Sequence, residues 1–259
     1  IPSPSENTNT FLAIQLPKEN QNGPIVMEQL LALLHGLKTA VSFEIWSENH
    51  QTQFAVVCPK LHQPFIVQQF QSYYPGIDVQ EQPDLTRTFV SASAWCLDLR
   101  TLPIFPIRRY AQTADHIART WTDPYLGILP AIHKTDHQEI RGVQIILVPA
   151  PATWRKAGHD TLNLYTRMAS QWIFKRWPWL KKKFFKLVYA SAGLRFLLFC
   201  ILPKSAHHGS SDKIDHRKHF MESITEAAYS KLAQIGFSVT IRLIVAGETG
   251  NSNRALAEL

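Results

Sequence analysis

Between Phe11 and Asp84 the chain switches period repeatedly, and the order of those switches limits what it can fold into. Phe11-Leu12-Ala13-Ile14-Gln15-Leu16 is a short apolar run stopped by Pro17, which predicts a buried strand. The polar stretch from Lys18 to Gly23 leads to Pro24, a residue suited to the first turn of a helix. Met27, Leu30, Leu31, Leu34 and Leu37 then recur on one helical face. Val41, Phe43 and Ile45 alternate with Ser42, Glu44 and Trp46, and Phe54-Ala55-Val56-Val57 follows the polar turn Asn49-His50-Gln51, which predicts a hairpin closed by Pro59. Phe65, Gln69 or Phe70, and Tyr73 predict a second amphipathic helix, stopped by Pro75-Gly76, and Ile77 and Val79 open a fourth strand. Strand, helix, strand, strand, helix, strand is the order of the ferredoxin-like fold, here spanning residues 8–85.

A second pass of related order follows. Phe89 to Leu99 is a strand-like run, Ala111 to Trp121 is weakly helical, and Asp123-Pro124 is a helix start leading to Ile132. Val143 to Val148 is a strong strand. Phe220, Ile224, Ala227 or Ala228, Leu232 and Ile235 share a helical face ended by Gly236, and Val239 to Val245 is a last strand. The expected class is α+β, with two ferredoxin-like units. The second is built from residues 86–150 and 215–248, is one strand short, and is interrupted by an insertion at 151–214.

The net charge of +7 is concentrated near that insertion. Residues 151–220 hold fourteen Lys or Arg against three Asp, whereas the rest of the chain holds 13 bases and 17 acids. Trp172, Lys175, Arg176, Trp177, Trp179, Lys181, Lys182, Lys183, Phe184 and Lys186 mix cations with aromatic rings, and Leu187–Leu202 is apolar apart from Tyr189, Ser191 and Arg195. Sixteen residues with an internal Arg fall short of the roughly 20 apolar residues of a membrane span. An interfacial helix fits this composition: its rings sit at headgroup depth and its cations face anionic lipid. Binding to a nucleic acid, with phosphates on Lys and bases on the rings, is the alternative, and a buried helix with a solvated basic entry is the third reading. The membrane or polyanion contact residues are therefore Trp172 to Lys186 as named, with Arg195.

Little else carries chemistry. Cys58, Cys96 and Cys200 are far apart, and Cys58 and Cys96 lie in strand-like runs, so both are expected to be reduced core residues. His207, His208, His216 and His219, near Asp212 and Asp215, occupy a Gly/Ser loop and a helix start. Only His216 and His219 have a helical i, i+3 relation, so no metal site is expected there. Asp78, Glu81 and Asp84 read as a solvated strand end, and Lys18, Glu19 and Asn20 as a turn. No catalytic set and no cofactor motif is expected.

Several segments together resemble a known family. They are Leu16-Pro17-Lys18-Glu19-Asn20, Met27 to Gly36, Ser42 to Ile45, Phe105 to Tyr110, Asp123-Pro124, Val143 to Pro149 and Gly236 to Arg242. The family comes from uncultivated small-genome bacteria, and in it these pieces precede a P-loop ATPase similar to the coupling ATPases of type IV secretion and conjugation. No GxxxxGK[ST] occurs in this chain, and Gly247-Glu248-Thr249-Gly250 lacks the Lys of a phosphate cradle. The resemblance thus implies a non-catalytic accessory or assembly region at the cytoplasmic face of the membrane. Its implied partners are a membrane surface or membrane protein, a P-loop ATPase domain of the same full-length chain, and further copies of itself. A module that feeds DNA to such a motor is the alternative. The polar start without Met and the helix-like ending at Arg254–Leu259 fit a piece of a longer protein.

Overall fold

The structure is a computed structural model and describes residues 9–20, 22–89, 91–99, 102–105, 107, 114–115, 120–121, 127–133, 139–168, 187, 191 and 216–247. It is a mixed α+β protein that divides into two compact units. One contains residues 1–98, 109–149 and 237–259, and the other contains 99–108 and 150–236.

The first unit is organised by a seven-stranded sheet. Its first half comprises β1 (Asn9–Gln15), α1 (Pro24–Gly36), β2 (Val41–Glu48), β3 (Gln51–Pro59), α2 (Gln63–Tyr73) and β4 (Asp78–Gln82). Then come β5 (Ala92–Leu97), the two-residue strands β6 (Ala114–Asp115) and β7 (Thr120–Trp121), α3 (Leu129–His133), β8 (Ile140–Pro149) and β9 (Phe237–Ala246). The strand order is β4-β1-β3-β2-β8-β9-β5, and every neighbouring pair is antiparallel. Short β6 and β7 pair only with each other among the described residues.

Local chemistry explains these elements. Pro24 and Pro64 stand in the first turns of α1 and α2, where a missing N–H loses no helical hydrogen bond. Asn49 and His50 have φ of 49° and 61°, the left-handed pair that a two-residue hairpin turn needs to follow strand twist. Gly76, at φ 80°, turns the chain from α2 into β4. One face of the sheet carries the helices. Leu30 and Leu34 of α1 and Ile66 and Phe70 of α2 close over Leu12, Ile14, Val41, Val56 and Cys58. Ile132 of α3 closes over Ile45, Val143, Leu243 and Val245. On the opposite face, Phe11, Trp46, Ala55 and Ile244 form a smaller cluster with Leu85 and Phe89.

Three sequence expectations are corrected here. In α2 the buried pair is Ile66 and Phe70, while Phe65 is 37% exposed. Two apolar residues four apart define a stripe, and Ile66–Phe70 is the stripe that meets β1 and β3. The strand expected from Phe89 to Leu99 is confined to Ala92–Leu97, because Phe89 follows a 3₁₀ turn (Leu85–Thr88) and packs on Trp46 at a ring distance of 5.6 Å. The weak helix expected at 111–121 holds β6 and β7 instead.

The second unit pairs α4 (Thr153–Met168) with α5 (His216–Ala233). Leu162, Leu164, Ala228 and Leu232 pack with Leu102 and Ile104 of the incoming segment, which makes a turn closed by Phe105 N donating to the Leu102 carbonyl at 3.1 Å. Gly158 lies against Leu232, where a larger residue would separate the helices. Lys231 Nζ donates to the Pro103 and Phe105 carbonyls at 2.7 and 3.0 Å, which ties that segment to α5. Helix α4 lies inside the stretch 151–214, expected from sequence to be a basic helical insertion. Trp154, Leu162 and Tyr165 recur on one side of it and carried the signal.

Candidate functional site

One cluster of polar side chains lies on the sheet face opposite α1 and α2. There Glu44 of β2 stands in register with Gln144 of β8, which stands in register with Arg242 of β9. With Asp84 and Thr86 they line a cleft of about 280 Å³ whose apolar walls include Val57 and Ile146. A second hollow of about 680 Å³, walled by Trp46, Gln15, Gln53 and Gln82, lies toward the hairpin end.

Glu44 is only 4% exposed. Ser42 Oγ donates to its Oε1 at 2.8 Å, Gln144 Nε2 donates to the same oxygen at 3.0 Å, and Trp46 Nε1 donates to Oε2 at 2.7 Å. The indole is itself fixed. Trp46 pairs across the sheet with Gly142, and its six-membered ring lies where a Cβ of residue 142 would be. The missing side chain at 142 therefore admits the Trp ring, and the ring's N–H aims the carboxylate. Burial pushes the Glu44 carboxyl above its ordinary value; the three donors pull the other way, and nearby Asp84 adds to the rise. A carboxylate offers about four acceptor positions, so three donors leave room for roughly one more. Asp84 spends its own Oδ1 on the Thr86 N–H and hydroxyl, at 2.9 and 2.7 Å, and so caps the 3₁₀ turn that walls the cleft. The arrangement is a held, partly protonatable acid with an exposed Arg242 in the same cleft.

Glu44 gives stability a definite pH sign. Its folded value lies above the ordinary 4.5, so between the two values the folded chain binds more protons than the unfolded chain. This group's contribution is therefore greatest at low pH and declines as pH rises through that window. Against Glu44→Gln, the wild type is expected to lose stability from pH 4.5 upward, and urea titrations of both proteins across pH read the difference. A flat difference would show that burial does not control this carboxyl.

The residues singled out in the sequence fall elsewhere. Trp172, Lys175, Arg176, Trp177, Trp179, Lys181, Lys182, Lys183, Phe184, Lys186 and Arg195 lie outside the described residues, as do Cys200, His207, His208, Asp212 and Asp215. Leu187, just beyond the Lys cluster, is 60% exposed, and its carbonyl accepts from Ser191 N at 3.0 Å. Helix α5 begins at His216 and includes His219. Among the described residues no three His, Cys, Asp or Glu side chains converge as a metal site would require. Asp78 and Glu81 sit on β4; Glu81 accepts from Gln63 Nε2 at 3.0 Å and pairs with Lys60 at 3.3 Å. Asn20 closes a turn onto the Pro17 carbonyl and accepts from Asn22 N. Asp84, expected at a solvated strand end, is instead part-buried at the cleft.

The cysteine expectation divides. Cys58 is buried beneath α1 and α2, and burial pushes its thiol up to about 11, so it is a poor nucleophile. Cys96 is exposed, which corrects its placement in the core. Among the described residues it stands on the last strand of the sheet, in register with exposed Arg242. Periodicity did not single out Glu44 either, because Ser42, Glu44 and Trp46 alternate with Val41, Phe43 and Ile45 as a solvated face would. The one available signal was a Trp two residues from a Glu on that face.

Among the described residues no helix is long and apolar enough to cross a membrane. No curated protein and no solved structure matches the chain. A family model described as a domain of unknown function, DUF8128, covers residues 2–257, nearly the entire length, and the protein belongs to that family.

Proposed function

We propose that this chain is a non-catalytic assembly region, built of two ferredoxin-like halves, of a membrane-associated ATPase that translocates DNA or protein in the manner of type IV secretion and conjugation. The observation that carries the reading is the arrangement of the sheet. In the first half, βαββαβ order accompanies the strand order β4-β1-β3-β2, with both helices on one face. In the second half, β9 lies between β5 and β8 and runs antiparallel to each, so β5 and β8 are parallel and bracket it as β1 and β2 bracket β3. The halves meet edge to edge at β2 and β8. Such a sheet offers broad faces and edges for docking, and the cleft acid is held by internal donors, which supports an assembly role. The basic aromatic segment 172–186 with Arg195 supplies the contact to an anionic surface, and the motor is a P-loop domain of the same full-length chain.

The test uses the purified chain. It is expected to turn over no ATP, and to float with anionic but not neutral vesicles, less so at high salt. Leu197, Leu198 and Phe199 replaced by Ser are expected to abolish flotation, because the membrane interface gains from burying them at about 25 cal/mol per Å². Single-stranded DNA binding that survives this change while flotation never occurs would favour the DNA-feeding alternative. ATP turnover removed by a substitution within residues 1–259 would overturn the assembly reading.

A further inference from the structure

The two ends of the sheet are treated differently. At one end β4 carries Asp78 and Glu81, and Lys60 and Gln63 reach across to Glu81. Charge of this kind is how proteins keep an edge strand from pairing with another chain. At the other end is β5, and from Phe89 to Leu97 the sequence Phe-Val-Ser-Ala-Ser-Ala-Trp-Cys-Leu has no charge and no proline. Among the described residues β5 has a hydrogen-bonded neighbour, β9, on one side only. Its side chains are exposed on both faces: Trp95 is 49% and Leu97 54% exposed on one, and Ala94 and Cys96 are exposed on the other. In the first half the equivalent position, outside β1, is filled by β4.

We infer that β5 pairs with the β5 of a second copy of this chain, antiparallel about a twofold axis, so that the sheet continues across two molecules. A twofold axis normal to a sheet permits only antiparallel pairing of identical strands, and every strand pair of this sheet is antiparallel. The same axis keeps each side chain on its own face, so a residue near the middle of β5 meets itself or a residue two positions away. With no charge in the strand, identical strands meet without like charges opposed, which few edges permit. The small outward side chains of Ala92, Ser93 and Ala94 allow the close approach, and the exposed Trp95 and Leu97 gain cover from the mate's strand. This stands on the sheet alone and is independent of the translocation reading.

The test is sedimentation equilibrium of the whole chain over a concentration series. The wild type is expected to move from 29.5 kDa toward twice that mass at micromolar concentration. Ala94 is exposed, so Ala94→Lys and Ala94→Asp are each expected to keep the wild-type circular dichroism yet weaken the dimer about tenfold or more, because each sets like charges together. An equimolar mixture of the two variants pairs opposite charges and is expected to restore the dimer, a recovery that misfolding would not give. Cys96→Lys and Cys96→Asp, at another exposed position on that face, form a second pair should either variant at 94 unfold. A wild type that stays monomeric, a dimer indifferent to these charges, or a mixture that fails to recover would overturn the inference.

Discussion

Gly142→Val is expected to destabilise the sheet unit by about 3 kcal/mol or more, although valine is a far better strand former than glycine. Propensity alone would predict a gain. The Trp46 ring, only 1% exposed, occupies the space a Cβ at 142 would need, so even the methyl of Gly142→Ala must displace it. Displacement breaks three contacts at once: the indole N–H to Glu44, the ring packing on Phe89, and the cover over Phe11 and Ala55. The expected loss approaches that of removing a buried Trp outright, roughly 3 to 5 kcal/mol. Urea unfolding followed by circular dichroism measures it. Trp46→Leu combined with Gly142→Ala is expected to recover part of the loss, since the smaller side chain leaves room for the methyl. A Gly142→Val protein as stable as the wild type would show that the Trp ring is not seated as described.

Glu139→Ala is the second large effect. Arg141 is 4% exposed; its Nη2 lies 3.0 Å and its Nε 3.1 Å from Glu139 Oε2, and its Nη1 donates to the Ala131 carbonyl at 2.9 Å. The pair joins β8 to the end of α3. Removing the carboxylate leaves a buried guanidinium without that counter-charge, which costs about 3 to 5 kcal/mol. Replacing both residues, with Glu139→Leu and Arg141→Met, is expected to cost far less, because no buried charge then remains. The same urea experiment on single and double variants forms the cycle that separates these outcomes. A single variant as mild as the double would mean that water reaches the guanidinium.

The first prediction rests on a contact between residues distant in the chain, Trp46 and Gly142, and the second on a neighbouring pair, Glu139 and Arg141, that only the folded sheet and α3 bury; this marks the limit of what the sequence conveys. The periodicities of 11–84 identified strands β1 to β4, helices α1 and α2 and the turn at Asn49–His50, because each depends on local chemistry: proline at a helix start, left-handed residues in a hairpin, alternation in a strand. The α1 face of Met27, Leu30, Leu31, Leu34 and Leu37 was legible for the same reason and packs as one cluster. The last strand, Val239 to Val245, was equally legible, and so was the helix before it through Ala228 and Leu232; its end was not, because the helix stops at Ala233 and Ile235, expected on its apolar face, lies beyond it and is 43% exposed.

Tertiary structure alone decided the rest. Alternation in β2 distinguishes two faces but cannot say that both are buried; only the pairing of β2 with β8 and the return of Leu85 and Phe89 cover Glu44 and Trp46. Cys58 and Cys96 lie in similar apolar runs. One became core and the other exposed because β3 lies inside the sheet beneath two helices, whereas β5 is its last strand among the described residues. The cleft has the same origin. Glu44, Gln144 and Arg242 are separated by about a hundred residues each, and no local period relates them. Side-chain spacing encodes which way a residue faces on its own strand, while the free energy of burying or exposing it depends on which strand comes to lie beside it.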